Sequence, residues 1–273
     1  MLVRQITKDT TLCMSLAGRP GNFGTRFHNY LYEAMGLDYL YKAFTTSDLE
    51  SAIAGVRALG IRGCAVSMPF KEQVIDYIDK LNHSAQVIQS VNTIVNDNGY
   101  LSAYNTDYIA IETLLKQYQV PTHLSFALRG SGGMAKAVAC ALKQAGFNKG
   151  TIVARNEQTG NSLAKLYDYD WQSSTDNLNA DFVINVTPIG MQGPNEQDLS
   201  FPETMIDNAQ VVFDVVAMPE LTPLIKQAQT QGKTVIKGSE VFALQAVEQF
   251  ALYTGQRPDD ELFAKAAAYA RGA

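Results

Sequence analysis

A glycine-rich turn between a predicted strand and a predicted helix constrains the fold of this chain more than any other feature. Residues Ser125 to Leu128 form a short apolar run typical of a buried parallel strand, and Ala135 to Ala145 have the composition of a helix packed on a sheet. Glycine in such a turn permits close approach of the backbone to phosphate, and the helix N-terminus attracts the anion. The segment therefore predicts a dinucleotide site, although a glycine turn that merely closes a strand-helix junction remains the alternative. The predicted nucleotide-binding residues of the turn are Gly130, Ser131, Gly132, Gly133 and Met134.

The end of the next predicted strand bears on the identity of the nucleotide. Thr151 to Ala154 form a second apolar run, and Arg155 and Asn156 follow it. An acid at this position would bind the adenosine ribose and favour NAD, whereas a guanidinium can hold the 2′-phosphate of NADP. We therefore predict NADP as the cofactor, with Arg155 and Asn156 contacting it. The alternative for Arg155 is a solvated arginine in a loop, and neighbouring Glu157 weakens the local positive field.

Length and charge narrow the class of protein. The chain has 273 residues, of which 46% are hydrophobic, and this length favours a globular protein of two domains. A formal net charge of −5 without a long basic run argues against nucleic acid as a partner. The sequence has no export signal and no apolar run of the roughly 18 to 20 residues that a membrane span requires. We therefore expect a cytoplasmic protein without a membrane partner.

Neither the cysteines nor the histidines are spaced like metal ligands. The three cysteines lie in predicted strands or a helix, so we expect buried reduced thiols rather than disulfides, ligands or a nucleophile. The three histidines are far apart in sequence and lack cysteine or acidic partners at ligand spacing. We therefore predict no metal site. These residues are Cys13, Cys64, Cys140, His28, His83 and His123.

Strands and helices alternate along most of the chain, which is typical of α/β folds. Ser47 and Glu50 have capping-box spacing before a predicted helix, and Asn98-Gly99 between two apolar runs predicts a tight antiparallel hairpin. The predicted fold class is α/β, with a Rossmann-type nucleotide domain and a second α/β domain that has a mostly parallel mixed sheet. We predict that residues 1–106 with 239–273 form the mixed-sheet domain and that residues 107–238 form the nucleotide domain.

Six separated motifs lie along the chain: AVSMPFK (Ala65 to Lys71), SVNT (Ser90 to Thr93), YNTD (Tyr104 to Asp107), GSGG (Gly130 to Gly133), NVTPIGM (Asn185 to Met191) and ALQA (Ala243 to Ala246). Together they cover most of the chain and are far more specific than a glycine turn alone. Taken in order, they resemble the motifs of the shikimate dehydrogenase family. The resemblance implies a substrate domain built from both chain ends, an NADP domain between them, and a cleft in which hydride passes between nicotinamide and a hydroaromatic alcohol.

The resemblance implies that Lys71 and Asp107 are the catalytic pair. In the family the matching lysine and aspartate bind the substrate hydroxyl and manage the proton that accompanies hydride transfer. The chemistry requires such a group, because oxidation of a secondary alcohol releases a proton as the hydride leaves. Without the family, Lys71 reads as an exposed lysine at a helix start and Asp107 as the N-cap of the following helix.

Further ligand contacts also follow from the resemblance. Ser67, Asn92 and Gln245 match positions that read the ring hydroxyls of the substrate. Thr187 lies in the loop that lines the nicotinamide, and Gly238 is also assigned to the cofactor. Taken alone, these residues also fit a strand-end serine, a hairpin asparagine, a helix-surface glutamine and a turn set by Pro188.

Three departures from the family pattern concern ligand recognition. The segment Gly18 to Asn29 lacks the S-x-S motif that holds the substrate carboxylate, and Asn22 and Thr25 are the possible substitutes, with Arg19 or Arg26 offering a charged grip. Ala217 stands where the family commonly has a tyrosine. Thr159 falls near a position that is often basic, so the preference for NADP over NAD is expected to be modest.

The function predicted from the sequence is an NADP-dependent oxidoreductase that interconverts shikimate and 3-dehydroshikimate, or a close analogue, with low efficiency. One alternative is a dehydrogenase for quinate or another polyol acid, because the carboxylate loop is altered while the proton-transfer pair remains. Another is a non-catalytic NADP-binding regulatory protein. The resemblance implies a role in aromatic amino acid biosynthesis, a small hydroaromatic acid as the ligand, and a monomer or homodimer.

Overall fold

The computed structural model describes residues 6–272, which fold into two compact units. Unit 1 contains the described residues up to Thr106 and those from Ala243 onward, and unit 2 contains Asp107–Phe242. The chain enters unit 1 again after residue 242 rather than after residue 238. The sequence does not mark this position, because one uninterrupted helix spans Gly238–Thr254 and no loop accompanies the crossing.

The helices are numbered along the chain. A short polar N-cap side chain accepts a hydrogen bond from the first turn of its helix at Asp48, Asn156, Thr222 and Asp259. The helices are α1 (Phe23–Ala34), α2 (Leu49–Ala58), α3 (His83–Ile88), α4 (Thr106–Gln117), α5 (Gly133–Ala145), α6 (Glu157–Tyr167), α7 (Glu203–Asn208), α8 (Pro223–Thr230), α9 (Gly238–Thr254) and α10 (Asp260–Arg271).

A six-stranded mixed sheet forms the centre of unit 1. Its strands are β1 (Thr11–Leu16), β2 (Tyr39–Phe44), β3 (Gly63–Val66), β4 (Lys80–Leu81), β5 (Thr93–Asp97) and β6 (Tyr100–Tyr104), in the order β2-β1-β3-β5-β6-β4. β1 is parallel to β2 and β3, whereas β5 is antiparallel to β3 and β6. The predicted hairpin is confirmed, since Asn98 and Gly99 both have positive φ between β5 and β6.

Two apolar clusters cover the two faces of this sheet. Successive strand residues point to opposite faces, so Cys13 packs into one cluster and Met14 into the other. The first cluster joins α1 to the later part of α9 and to α10 through Phe27, Leu31 and Phe250. The chain termini therefore belong to one core, which is why residues distant in sequence form a single unit.

Unit 2 has the Rossmann architecture. Its strands are β7 (Phe126–Arg129), β8 (Gly150–Val153), β9 (Asp170–Gln172), β10 (Phe182–Asn185), β11 (Val211–Asp214) and β12 (Thr234–Lys237). All are parallel, in the order β12-β11-β10-β7-β8-β9, and the strand order reverses beside β7, where a dinucleotide binds in such folds. The predicted fold class is confirmed.

Local details of the sequence prediction need correction. α2 is capped by Asp48, whose Oδ1 accepts a 3.0 Å bond from the backbone N–H of Ser51, and not by a capping box from Ser47. α1 begins at Phe23, within the segment predicted to bind the substrate carboxylate. Several short elements lack enough residues to show a periodicity and escaped prediction: β4, β9, α3, α7 and α8.

His28 lies in the core of unit 1 and is fully buried among aromatic rings. Its ring stacks on Tyr41 at a centroid distance of 4.4 Å and also contacts Phe250 and Tyr253. Burial lowers the pKa of His28 to about 3, and the Gln249 side chain opposes this shift in part. The imidazole is therefore a neutral packing element, in agreement with the absence of a predicted ligand role.

We expect His28 to make stability depend on pH. In the unfolded chain the His28 imidazole binds a proton below pH 6.5, whereas in the native chain it stays neutral down to about pH 3. The free energy of unfolding therefore falls as the pH drops through this window. The slope contributed by one such group is about 1.4 kcal/mol per pH unit. Urea denaturation at pH 7, 5.5 and 4.5 should show a shallower decline for His28→Phe, with exposed His83→Gln as the control. A decline as steep in His28→Phe as in the parent protein would contradict this assignment.

Candidate nucleotide and substrate sites

The three glycines after β7 have different structural roles. Gly130 has a φ of +129°, and a Cβ there would lie 2.6 Å from Cγ2 of Val186, so the fold itself requires glycine. Gly132 caps α5 in an extended conformation, and a Cβ at Gly132 or Gly133 would meet no atom within 4 Å. The fold alone therefore does not require glycine at Gly132 and Gly133, and the open space suits a ligand that approaches the helix N-terminus.

A cavity of about 990 Å³ opens at the carboxyl end of the unit 2 sheet. Its size suits a large cofactor, and its walls include the ends of β7 and β8 and the loop after β10. Gly132, Gly133 and Met134 are not among the lining residues and lie in the first turn of α5 instead. The lining residues are Arg129, Gly130, Ser131, Val153, Ala154, Arg155, Asn156, Ser173, Ser174, Thr175, Thr187, Pro188, Ile189 and Asn195.

Predicted and unpredicted residues meet in this cavity. Arg155 is exposed at its rim, whereas Asn156 also caps α6, with its Oδ1 accepting a 3.0 Å bond from the backbone N–H of Thr159. The Oγ of Ser131 lies 2.7 Å from Oγ1 of Thr159 and links the glycine turn to α6. Arg129 was not predicted, although its position directly before Gly130 at a strand end is a usable signal in the sequence.

A buried network holds the loop that contains Thr187. Asn185 accepts hydrogen bonds from the backbone N–H and the hydroxyl of Thr187, at 3.0 and 2.6 Å, and donates to the Ile189 carbonyl and to Asp214. Burial raises the pKa of Asp214 to about 6, although hydrogen bonds from Thr222, the Val216 backbone and Asn185 oppose the shift. Thr187 is thus fixed by its own strand end at the edge of the cavity.

Gly238 has a packing role. A Cβ at this position would lie 2.4 Å from the carbonyl carbon and oxygen of Val215 and from the carbonyl oxygen of Val216. Two backbone segments approach each other here as closely as only glycine allows. The structure therefore explains the glycine without a ligand, and contact with a cofactor stays a prediction.

Within the described residues, the buried side-chain amide of Asn92 in unit 1 has a fully bonded oxygen and a nitrogen without an acceptor. It is 1% exposed, and its Oδ1 accepts hydrogen bonds from Oγ1 of Thr93 at 2.8 Å and from the backbone N–H and the hydroxyl of Thr106 at 2.8 and 3.2 Å. These donors fix the orientation of the amide. Within residues 6–272 the Nδ2 group has no hydrogen-bond partner. A buried amide N–H without an acceptor is unfavourable by about 1–3 kcal/mol, so it suits a site that a ligand completes.

Gln249 supports Asn92 and was not predicted. Its Nε2 donates to the Asn92 carbonyl at 3.3 Å and to Oγ1 of Thr93 at 3.1 Å, and the side chain is almost fully buried. Half-buried Gln245 lies one helical turn before Gln249 on α9, and residues four apart share a helix face. This spacing was the signal in the sequence for the second glutamine.

Lys71 and Asp107, the predicted catalytic residues, differ in their positions from an exposed lysine at a helix start and from a helix N-cap. Lys71 is half-buried in a turn before the 3₁₀ helix Gln73–Tyr77, and its carbonyl accepts a 2.7 Å bond from the backbone N–H of Val91. It is therefore not an exposed lysine at a helix start. Asp107 is 2% exposed and is the second residue of α4, so it is not the N-cap.

Comparison with known proteins establishes the relationship. Residues 23–94 match the model of the shikimate dehydrogenase substrate binding domain. A shikimate dehydrogenase-like protein of Haemophilus influenzae is 61% identical over 267 residues, covering 97% of this chain and 98% of the relative. A shikimate dehydrogenase (NADP(+)) of Pyrococcus furiosus is 34% identical over 250 residues, with 88% of each chain covered. The chain belongs to the shikimate dehydrogenase family.

A solved structure of the family agrees with this assignment. Shikimate 5-dehydrogenase of Thermus thermophilus, in complex with NADP(H) and shikimate, superposes with a TM-score of 0.85 at 27% identity, covering 95% of this chain and 100% of that one. The chain is accordingly a shikimate dehydrogenase-like oxidoreductase. The part of the chain that the structure describes contains no group of three or more His, Cys, Asp or Glu side chains suited to a metal, and no helix in it could span a membrane.

The segment predicted to hold the substrate carboxylate, residues 18–29, includes the start of α1. Asn22 is exposed at the N-cap position of α1 and makes no capping hydrogen bond through its side chain. Thr25 is half-buried, and its carbonyl accepts a 2.8 Å bond from Nδ2 of Asn29. Between them, a Cβ at Gly24 would lie 3.4 Å from the Tyr41 ring and hydroxyl. Gly24 is the second residue of α1, and a Cβ there would be in ordinary van der Waals contact with Tyr41.

Proposed function

We propose that this protein is an NADP-dependent dehydrogenase that interconverts shikimate and 3-dehydroshikimate, or a close analogue, with low efficiency. The observation that carries the proposal is the fixed amide of Asn92, whose buried Nδ2 donor points to a polar ligand in the unit that matches the family's substrate-binding domain. Gln245 and Ser67 are proposed as further contacts to the ring hydroxyls.

NADP fits unit 2 on structural grounds. The cavity of about 990 Å³, the open space at Gly132 and the guanidinium of Arg155 at the end of the second Rossmann strand match the parts of a dinucleotide in such folds. We propose that Ser131, Gly132, Gly133 and Met134 accommodate the pyrophosphate. Bound NADP supplies the acceptor for a hydride, and its reduced form supplies the donor in the reverse direction.

The proposed chemistry assigns separate tasks to Lys71 and Asp107. When the secondary alcohol is oxidised, the carbon-bound hydrogen leaves as hydride with its electron pair and the hydroxyl proton passes to the Nζ of Lys71. The Asp107 carboxylate orients the hydroxyl and balances the charge that develops on the amine. Asn92 donates from Nδ2 to a neighbouring ring oxygen and thus fixes the ring, which raises the fraction of bound molecules in a reactive geometry.

Arg155 is expected to discriminate between the two nicotinamide cofactors. Arg155→Ala removes the charge proposed to hold the 2′-phosphate, so the Kd for NADP should rise about 10- to 100-fold while the Kd for NAD changes little. Isothermal titration calorimetry with both cofactors measures the two constants directly. Equal losses for NADP and NAD would remove Arg155 from the phosphate site.

The altered carboxylate loop favours a second candidate substrate class. Residues 18–29 contain no serine, so this segment lacks the two serine hydroxyls of the family motif. Missing donors for a buried anion weaken discrimination, so quinate or another polyol acid is the second candidate. Steady-state assays with shikimate, quinate and further polyol acids distinguish the candidates by kcat/KM. Tight NADP binding without turnover of any acid would instead support a regulatory protein.

A further inference from the structure

Arg129 lines the unit 2 cavity and has no role in the proposed function. It is the last residue of β7 and pairs in register with Val153 of β8, two residues before Arg155. One of its terminal nitrogens, Nη1, donates to the carbonyl of Ser200, which anchors the half-buried side chain from the protein side. Arg129 and Arg155 line the same cavity from neighbouring strand ends.

The two guanidinium groups lack acidic partners in the structure. Within residues 6–272, neither Arg129 nor Arg155 takes part in an ion pair, and the hydrogen bond to Ser200 is the one that the Arg129 side chain makes. Burial and the nearby positive charge of Arg155 both lower the pKa of Arg129. Two like charges that share one cavity repel each other, and an anion between them would remove this repulsion.

A purely structural role does not account for Arg129. The Ser200 carbonyl needs only one donor, which a neutral side chain could supply, whereas a guanidinium carries five N–H groups in a planar fork. Arg129 lines the cavity, and its remaining N–H groups can donate in parallel to two oxygens of a phosphate. The arrangement therefore suits a phosphate monoester better than an internal contact.

We infer that Arg129 is the second guanidinium of the site for the adenosine 2′-phosphate and a determinant of cofactor specificity. The inference rests on the proposed NADP-dependent function. The pyrophosphate belongs at the N-terminus of α5, whose Gly132 and Gly133 lie outside the cavity lining, whereas Arg155 marks the ribose end. Arg129 thereby supplies the second charge that Thr159 does not provide.

Binding of two small nucleotides tests the inference without any turnover. 2′,5′-ADP and 5′-AMP differ by the 2′-phosphate alone, and calorimetry gives a Kd for each. Arg129→Met should weaken 2′,5′-ADP and NADP about 10- to 100-fold and leave 5′-AMP and NAD within about threefold. Arg129→Lys should recover part of the loss, because the charge returns without the planar fork. Exposed Lys226→Met on α8 is the control for the loss of one positive charge from unit 2.

A double variant shows whether the two arginines act on one phosphate. In Arg129→Met with Arg155→Met, the combined loss for 2′,5′-ADP should differ from the product of the single losses, because both groups contact the same ligand. Equal losses for 5′-AMP and 2′,5′-ADP would place Arg129 elsewhere on the nucleotide and overturn the inference, as would no loss for either. A thermal melt confirms that each variant is folded. If the parent protein bound 2′,5′-ADP tightly but oxidised no acid, the proposed substrate would fail while this inference stood.

Discussion

Lys71→Ala is expected to lower kcat for the NADP-dependent oxidation of shikimate by about 10²- to 10⁴-fold, the usual contribution of a positioned proton-transfer group. Lys71 lies in a turn whose backbone is fixed by the hydrogen bond from Val91, so its removal should leave the local fold intact. It belongs to unit 1, whereas the nucleotide cavity is formed by residues of unit 2, and the Kd for NADP should therefore stay within about twofold. Stopped-flow and steady-state rates together separate the chemical step from binding.

The control for this variant is Lys80→Ala, which removes an exposed lysine of the same unit. It should retain the parent rate. A Lys71→Ala protein with unchanged kcat would show that the proton passes to another group. A raised KM with normal kcat would instead assign Lys71 to uniform binding of the substrate rather than to proton transfer.

Gly132→Thr is expected to weaken NADP binding about 10- to 100-fold while the protein remains as stable as the parent. Threonine caps a helix as well as glycine does and tolerates the extended backbone at this position, and a Cβ there meets no protein atom within 4 Å. The new side chain would, however, occupy the space through which a pyrophosphate reaches the N–H groups of α5, and each lost charge-assisted hydrogen bond is worth about 1.5–3 kcal/mol.

Gly130→Ala is the matched comparison for this glycine. Its φ of +129° and the 2.6 Å approach to Val186 predict a loss of stability rather than a selective loss of binding. Thermal denaturation and calorimetry with NADP measure both quantities for each variant. If Gly132→Thr bound NADP as well as the parent did, the turn would only close a strand-helix junction.

The sequence was sufficient to predict the architecture because the strong signals are local. The glycine turn, the buried strand before it and the Asn98-Gly99 hairpin depend on backbone conformation, which residues of fixed type impose. Short elements such as α3 and β9 could not be predicted this way, because tertiary packing rather than periodicity determines them. The sequence also does not show where the chain passes from unit 2 to unit 1, because this position lies within α9 and no loop accompanies it.

Only some residues of the candidate sites could be predicted from the sequence. Motifs indicate Asn92, but its fixed orientation depends on donors from Thr93 and Thr106, and the second of these lies on another element. Gln249 reaches Asn92 from a helix more than 150 residues later, a proximity that only the folded core creates. Arg129 was not predicted from the sequence because an arginine at a strand end does not by itself establish a ligand site. Only the folded structure shows that Arg129 and Arg155 line the same cavity.

One assay tests the catalytic assignments and the substrate most directly. NADPH formation is followed with NADP and shikimate, and then quinate, at high substrate concentration for the parent protein, Lys71→Ala and Asp107→Ala. We predict turnover with shikimate that is slow in the parent and at least about 10²-fold slower in both variants. Turnover at the parent rate in both variants would contradict the roles of Lys71 and Asp107, and no turnover with either acid would contradict the proposed reaction.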